Sequence, residues 1–193
     1  MKLAEIYDFV IKKGLRKDPR TRQEIKEELG KAKGVFGKLK GIDKKNYDRE
    51  RLKHPYADTR ILYGNPNKDI KTIMVGIDME ASEILAADRL NERGESIDLV
   101  MAHHPEGVAW AGIYDVMHMQ VALLRNMGIP LDVGKARLKE RIEEVQRAVA
   151  PSNHFRSVDM ARLMDMPYMC VHTPADNHVA YHLQRLFTRK RPK

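Results

Sequence analysis

The fold of this chain is decided by the stretch IDLVMAHHP, residues 97–105. Its first six residues form a mostly apolar run, which at this length is typical of a strand buried in a sheet. His103 and His104 follow where the strand ends, and Pro105 comes directly after them. In open α/β sheets, ligands bind beside the carboxyl ends of the strands. The stretch therefore predicts a buried strand that places two histidines at a ligand-binding edge.

Two further apolar runs have the same form. TIMVGI at residues 72–77 precedes Asp78, and YMCV at residues 168–171 precedes His172. We expect another short strand at residues 129–133. The apolar spacing elsewhere is helical and predicts helices over residues 80–93, 113–127, 135–149, 158–164 and 175–187. Apolar strands that alternate with helices are covered on both faces and belong to βαβ units. The predicted fold class is α/β, with a mostly parallel sheet flanked by helices.

The first 70 residues have a different character. Their apolar residues recur at helical spacing up to Gly14, where we expect the first helix to end, and a second helix is predicted from Asp18 to Gly30. Residues 54–66 contain proline, glycine and asparagine, and are predicted as a turn-rich connection. We therefore divide the chain into a basic, largely helical N-terminal region, residues 1–70, packed on an α/β core, residues 71–193.

Length and composition exclude several classes of protein. A chain of 193 residues fits one ordinary domain. Its single cysteine cannot form an internal disulfide, which indicates a reducing compartment. No stretch approaches the ~20 apolar residues that span a bilayer, and the N-terminus lacks the apolar core of a signal peptide. We expect a cytoplasmic protein without a membrane partner.

The net charge of +8 is unevenly distributed. Residues 1–70 carry 19 basic and 11 acidic side chains, residues 71–184 carry 11 and 16, and residues 185–193 carry five and none. Basic ends are able to neutralise the phosphates of a nucleic acid, although a solvated lysine-rich face is the commoner explanation. The acidic middle suits divalent cations better than free phosphates.

The three strand ends bring metal-capable residues to one rim of the sheet, because right-handed crossovers align them. Besides His103, His104 and His172, they deliver Asp78 and Asp176. Histidine and carboxylate groups are ligands for zinc, iron and manganese. The alternative is a hydrogen-bond network among these groups without a metal.

Adjacent histidines on a regular strand point to opposite faces, so one metal ion rarely takes both. Pro105 restricts the backbone at His104 and is able to re-aim its ring. The simplest use of the pair is one histidine for each of two ions, bridged by a carboxylate, for which Asp176 is the candidate. Metal-bound water would then be the nucleophile, with Glu106 or His172 moving protons. Glu106 is alternatively an ordinary loop charge.

These residues also resemble a known family. IDLVMAHHP, residues 97–105, looks like the "dlIitHHP" segment of the Nif-three-like proteins, also labelled GTP cyclohydrolase 1 type 2 homologues. VGID at residues 75–78 is similar to their preceding strand. CVHTPAD at residues 170–176 resembles their "HTnlD" segment, with Pro-Ala in place of Asn-Leu. The resemblance runs from about residue 71 to about residue 187, whereas residues 1–70 do not match the usual family start.

The resemblance implies an α/β domain with a dinuclear metal centre, and a ring-shaped homohexamer in many members. His103, His104 and Asp176 fall on family ligand positions, and His172 matches a residue of the same motif. One or two divalent ions (Zn, Fe or Mn) are therefore expected as cofactors, and a homo-oligomer as the assembly. Family members add a His and a Glu from a C-terminal segment that this chain lacks. Either the chain is an incomplete version of the domain, or other groups supply the missing ligands: His178, His154 or Glu106.

Two functions follow from the sequence. The leading hypothesis is a metal-dependent hydrolase that acts on a nucleotide-like or phosphorylated small molecule. The alternative is a non-catalytic scaffold or regulatory protein with a structural metal, whose basic ends bind partners or nucleic acid. Whether the chain is an enzyme at all is left open by its residues.

Overall fold

The computed structural model describes residues 1–189 and contains a four-stranded sheet flanked by helices. Its strands are β1 (Arg60–Tyr63), β2 (Ile73–Gly76), β3 (Leu99–Ala102) and β4 (Tyr168–Cys170). The strand order is β1-β4-β3-β2; β2, β3 and β4 run parallel, and β1 runs antiparallel to β4. The α/β class is confirmed. The sheet, however, is mixed and not mostly parallel, because β1 joins it from a segment that we predicted to be turns.

The helices are α1 (Leu3–Lys17), α2 (Arg22–Lys38), α3 (Gly41–Asn46), α4 (Ala81–Glu92), α5 (Gly107–Ala111), α6 (Ile113–Val116), α7 (Met119–Asn126), α8 (Leu131–Val149), α9 (Arg156–Leu163) and α10 (Thr173–Arg189), with a short 3-10 helix at Arg49–Leu52. None of the helices within residues 1–189 is both long and apolar enough to cross a membrane. The division of the chain at residue 70 stays a prediction.

Two elements of the middle segment differ from the predictions. The strand expected at residues 129–133 is absent, because Leu131 begins α8 and Pro130 stands immediately before it. Proline suits a helix start, where no amide donor is needed. The single helix predicted over residues 113–127 is divided into α6 and α7. Its apolar residues lie on more than one side of a helix, so one continuous helix would not bury them together.

Helix α1 runs past Gly14, where we expected it to end, and stops at Lys17. A Cβ atom on Gly14 would lie 2.6 Å from Cβ of Pro174 at the start of α10. The glycine therefore permits close packing of α1 on α10 and does not terminate the helix. Helix α2 likewise continues through Gly30 to Lys38.

Each face of the sheet carries its own core. On one face, Ile84 of α4 and Val158 of α9 pack with Val100 and Tyr168. On the other, α1 buries Leu3, Ile6 and Tyr7 against Leu99 and Met169. Strands β3 and β4 are buried between these layers, as continuous apolar runs predict.

Strand β2 forms the edge of the sheet and is less covered than we predicted. Val75 and the following Ile77 are 66% and 61% exposed. The prediction that every strand is covered on both faces is therefore wrong for β2. The carboxyl ends of β2, β3 and β4 nevertheless lie side by side, and this places the candidate site.

Candidate metal centre

Three histidines meet at the carboxyl ends of β3 and β4. His103 and His104 follow β3, and His172 follows Val171 just beyond β4. Among residues 1–189, these three form the metal-capable group whose ligand atoms all lie within 4.8 Å of one another. The rings of His103 and His172 are stacked with their centroids 4.8 Å apart, and the centroid of His104 lies 5.3 Å from that of His103. The structure therefore brings both adjacent histidines into one group.

Each histidine is anchored through its Nδ1 atom. The Nδ1 of His103 lies 3.1 Å from the carbonyl oxygen of Val171, and that of His104 lies 2.6 Å from Oδ1 of Asp78. The Nδ1 of His172 lies 3.0 Å from Oδ2 of Asp58. A carbonyl oxygen and ionised carboxylates only accept hydrogen bonds, so each Nδ1 carries the proton. In the neutral form of each ring, Nε2 then keeps its lone pair, as metal ligation requires.

Asp176, in the first turn of α10, faces two of these free nitrogens. Its Oδ1 lies 3.5 Å from Nε2 of His103, and its Oδ2 lies 3.7 Å from Nε2 of His172. These distances exceed good hydrogen-bond lengths. They match the separation of about 3.4 Å between two ligand atoms that are each about 2.1 Å from one tetrahedral ion. Asp176 is therefore spaced to share a cation with either histidine, although it lies outside the three-histidine group.

Asp58 is a part of the site that the sequence did not predict. Its side chain is completely buried, and its Oδ2 accepts hydrogen bonds from His172 Nδ1, from the amide of Thr173 at 3.2 Å and from the Thr173 hydroxyl. Arg60 of β1 pairs with Cys170 of β4 in the antiparallel register, and this pairing brings Asp58 opposite His172. Only the β1–β4 pairing reveals this contact; locally, Asp58 is one acid in a turn-rich stretch.

The electrostatics of His172 follow from these neighbours. Burial lowers the pKa of its imidazole, but the hydrogen bond and charge of Asp58 and the charge of Asp176 outweigh burial and raise the pKa above its ordinary value. The same two negative charges attract a metal cation, which competes with the proton for the ring.

Glu106, predicted as an acid–base residue, lies outside the three-histidine group. It stands immediately before α5, and its Oε2 accepts a 2.7 Å hydrogen bond from the buried Ser157 hydroxyl. Burial raises the pKa of this carboxyl group, an effect that the Ser157 hydrogen bond partly offsets. A raised pKa is a property of general acids. The catalytic role of Glu106 stays a prediction.

The two histidines proposed as substitute ligands, His154 and His178, contact backbone carbonyl groups away from the site. His154 Nε2 lies 2.9 Å from the carbonyl oxygen of Val149, and His178 Nε2 lies 3.1 Å from that of Lys13. Both lie outside the three-histidine group. Cys170 is fully buried, and burial raises the pKa of its thiol to about 12, as expected of an inert residue.

No protein-family model matches the chain, and no curated protein sequence does. A solved structure to which it is similar is that of a NIF3 superfamily protein from Sphaerobacter thermophilus, with a TM-score of 0.56 and 23% sequence identity. The match covers 77% of this chain and 47% of that chain, so this chain spans about half the length of its neighbour. The likeness confirms the Nif-three-like fold.

Proposed function

We propose that the chain binds one or two divalent metal ions (Zn, Fe or Mn) through His103, His104, His172 and Asp176. The observation that supports this most strongly is the shared anchoring of the histidines: each Nδ1 is held by an acceptor, and two free Nε2 atoms face the Asp176 carboxylate. Metal ligation explains why three imidazole rings lie in one group with each Nδ1 held by an acceptor, whereas a hydrogen-bond network alone does not.

We propose further that the metal-loaded protein hydrolyses a nucleotide-like or phosphorylated small molecule. A bound divalent ion polarises phosphoryl oxygens and lowers the pKa of its water, which is the chemistry this reaction needs. The side chains of His104 and Asp176 are about half exposed, which leaves the outer side of the site open to a small ligand. The substrate class rests on the resemblance to the Nif-three-like family.

The chain's own residues have distinct tasks in this proposal. Asp58 and Asp78 fix the tautomers and orientations of His172 and His104. Asp176 adds negative charge on the solvent side, where it faces His103 and His172. Glu106, with its raised pKa, is the candidate for protonating a leaving group. Asp58 is too deeply buried to touch a substrate, so it is a positioning residue.

The assembly and location are part of the proposal. A homo-oligomer, a hexamer by resemblance, is supported by the edge strand β2, which exposes Val75 and Ile77 together with an unpaired backbone edge. A cytoplasmic location is supported by the single cysteine, Cys170, which is free and buried.

The test combines metal analysis with an activity assay. Protein stripped with a chelator and reloaded with Zn, Mn or Fe is assayed for release of phosphate or pyrophosphate from nucleoside triphosphates. We expect at least one bound equivalent and hydrolysis that follows metal content. The double variant His103→Ala/His104→Ala should lose both, whereas the exposed His118→Ala control should retain them. Less than one equivalent in the native protein would refute metal binding. Full occupancy without hydrolysis would refute the enzymatic function and favour a structural metal.

A further inference from the structure

Basic residues of α1 and of α10 lie side by side on one surface of the fold. Helix α1 packs along α10, and the ring nitrogen Nε2 of His178 lies 3.1 Å from the carbonyl oxygen of Lys13. The C-terminal half of α1 carries Lys12, Lys13, Arg16 and Lys17, and α10 carries Arg185 before the chain continues into Lys-Arg-Pro-Lys at residues 190–193. The fold thus brings basic residues that are far apart in the sequence, such as Lys17 and Arg185, to one place.

A cleft of about 330 Å³ lies at this junction. We name it the α1/α10 cleft, and its lining residues are Lys17, His178, Tyr181, His182, Arg185 and Leu186. Two of these residues are basic (Lys17 and Arg185), two are histidines, and none of the six is acidic. The nearest acid along α1, Asp18, is already paired with Arg20 and accepts a hydrogen bond from Tyr56. The cleft lining therefore carries positive charge that no carboxylate of the lining neutralises, which favours an anionic ligand.

Aromatic rings stand beside these cations. The Nζ of Lys17 lies 3.6 Å from the centre of the Tyr181 ring, and Tyr181 remains 42% exposed. Phe9, about two turns before Lys17 on a similar side of α1, is 52% exposed, with the Nζ of Lys13 5.1 Å from its ring centre. Cations interleaved with exposed aromatic rings are the combination that holds phosphates and stacks bases in single-stranded nucleic-acid sites.

We propose that the α1/α10 cleft binds single-stranded nucleic acid. Phosphates contact Lys17 and Arg185 in the cleft and Lys13 one turn before Lys17 on α1, and a base stacks on Tyr181. A concave cleft between two helices is able to enclose a flexible nucleic-acid strand, whereas a flat anionic membrane would contact a convex surface. The shape therefore favours nucleic acid over a lipid surface. The proposed nucleic-acid binding does not depend on the candidate metal centre, whose histidines lie at the carboxyl ends of β3 and β4.

The salt dependence gives the proposal a quantitative signature. Each phosphate contact contributes about −0.7 to the slope of log affinity against log salt for single strands. Three contacts predict a loss of roughly 20-fold in affinity between about 50 and about 200 mM salt. Removing two contacts should make the loss of affinity over the same salt range about 7-fold smaller. This difference does not depend on any further contacts that both proteins share.

The experiment measures fluorescence anisotropy of a labelled 20-nucleotide oligothymidylate with the full chain. We expect Lys17→Ala/Arg185→Ala to weaken binding and to lower the salt sensitivity by about 7-fold. The control Lys139→Ala/Arg141→Ala, on the exposed side of α8, removes the same charge at another place and should leave both unchanged. Tyr181→Ala should weaken binding about 10-fold without changing the salt slope, and Tyr181→Phe should retain it.

Three results would overturn the proposal: no binding at about 50 mM salt, where phosphate contacts are strong; an equal loss in the α8 control, which would indicate net charge alone; or binding to phosphatidylserine vesicles without binding to the oligonucleotide. If the alanine double variant fails to fold, Lys17→Gln/Arg185→Gln carries the same prediction. The variant His103→Ala/His104→Ala should bind the oligonucleotide as the native chain does, which separates this surface from the proposed metal centre.

Discussion

Replacing Asp58 with asparagine should weaken metal binding while preserving the fold. All three strong hydrogen bonds to Asp58 converge on Oδ2, from His172 Nδ1 and from the amide and hydroxyl of Thr173. Its Oδ1 accepts a long hydrogen bond of 3.4 Å from the Thr59 hydroxyl. An asparagine can place its amide oxygen at the Oδ2 position and its amide nitrogen toward Thr59, which is able to accept. The substitution therefore removes the negative charge and little of the geometry.

The expected loss follows from what that charge does for His172. It strengthens the anchor on Nδ1 and makes Nε2 a more basic ligand, and removing such a partner typically costs 10- to 100-fold in metal affinity. This corresponds to about 1.4 to 2.7 kcal/mol. The free energy of unfolding of the metal-free protein should change by less than this, because the variant also removes the cost of burying a charge.

Zinc affinity is measured by competition with a chromogenic chelator, and folding by thermal denaturation. Asp159→Asn is the matched control, since Asp159 is exposed and forms an ion pair with Arg162 on α9. A well-folded Asp58→Asn protein with native zinc affinity would refute the role we assign to Asp58. A similar loss in Asp159→Asn would refute its site specificity.

Three further predictions concern packing, pH and catalysis. Gly14→Ala places a methyl group against Pro174 and should destabilise the protein by about 1–3 kcal/mol, whereas Gly34→Ala, which meets nothing within 4 Å, should stabilise it by about 0.5–1 kcal/mol; equal melting temperatures for the two would contradict the packing account. The raised pKa of His172 means that its ion pairing stabilises the metal-free protein fully below the ordinary pKa of about 6.5 and is lost as the pH rises through the folded-state value. Denaturation of metal-free protein across that range should record the decline, and Asp58→Asn should flatten it; an unchanged profile would contradict the pairing. Glu106→Gln should lower turnover by about 100-fold at unchanged zinc content, and native turnover in this variant would exclude Glu106 as the general acid.

The parts of the fold that the sequence predicted are those with a local signal. The apolar runs of β3 and β4 are each followed directly by a histidine, and both strands lie in the middle of the sheet. Parallel neighbours align their carboxyl ends, so the proximity of His103, His104 and His172 follows from chain order and strand direction alone. Asp176 is also local, since it lies four residues after His172 and within the first turn of a helix.

The parts that could not be predicted depend on distant pairings. Strand β1 has four residues in a turn-rich segment, and its place is set by antiparallel pairing with β4 more than 100 residues later. Without that pairing Asp58 has no visible partner. Gly14 has the sequence pattern of a helix end. The reason for a glycine there is the close approach of Pro174, which lies in another helix and is not visible in the local sequence. The exposure of Val75 follows from the edge position of β2, which its apolar sequence does not indicate.

In our proposal, His103, His172 and Asp176 hold a divalent ion. An anomalous difference map from crystals of the zinc-loaded protein, recorded at the zinc absorption edge, tests it most directly. We predict a peak about 2.0–2.2 Å from the Nε2 atoms of His103 and His172 and from the Asp176 carboxylate, with any second ion beside His104. A map without a peak among these side chains, in crystals grown at saturating zinc, would contradict the claim.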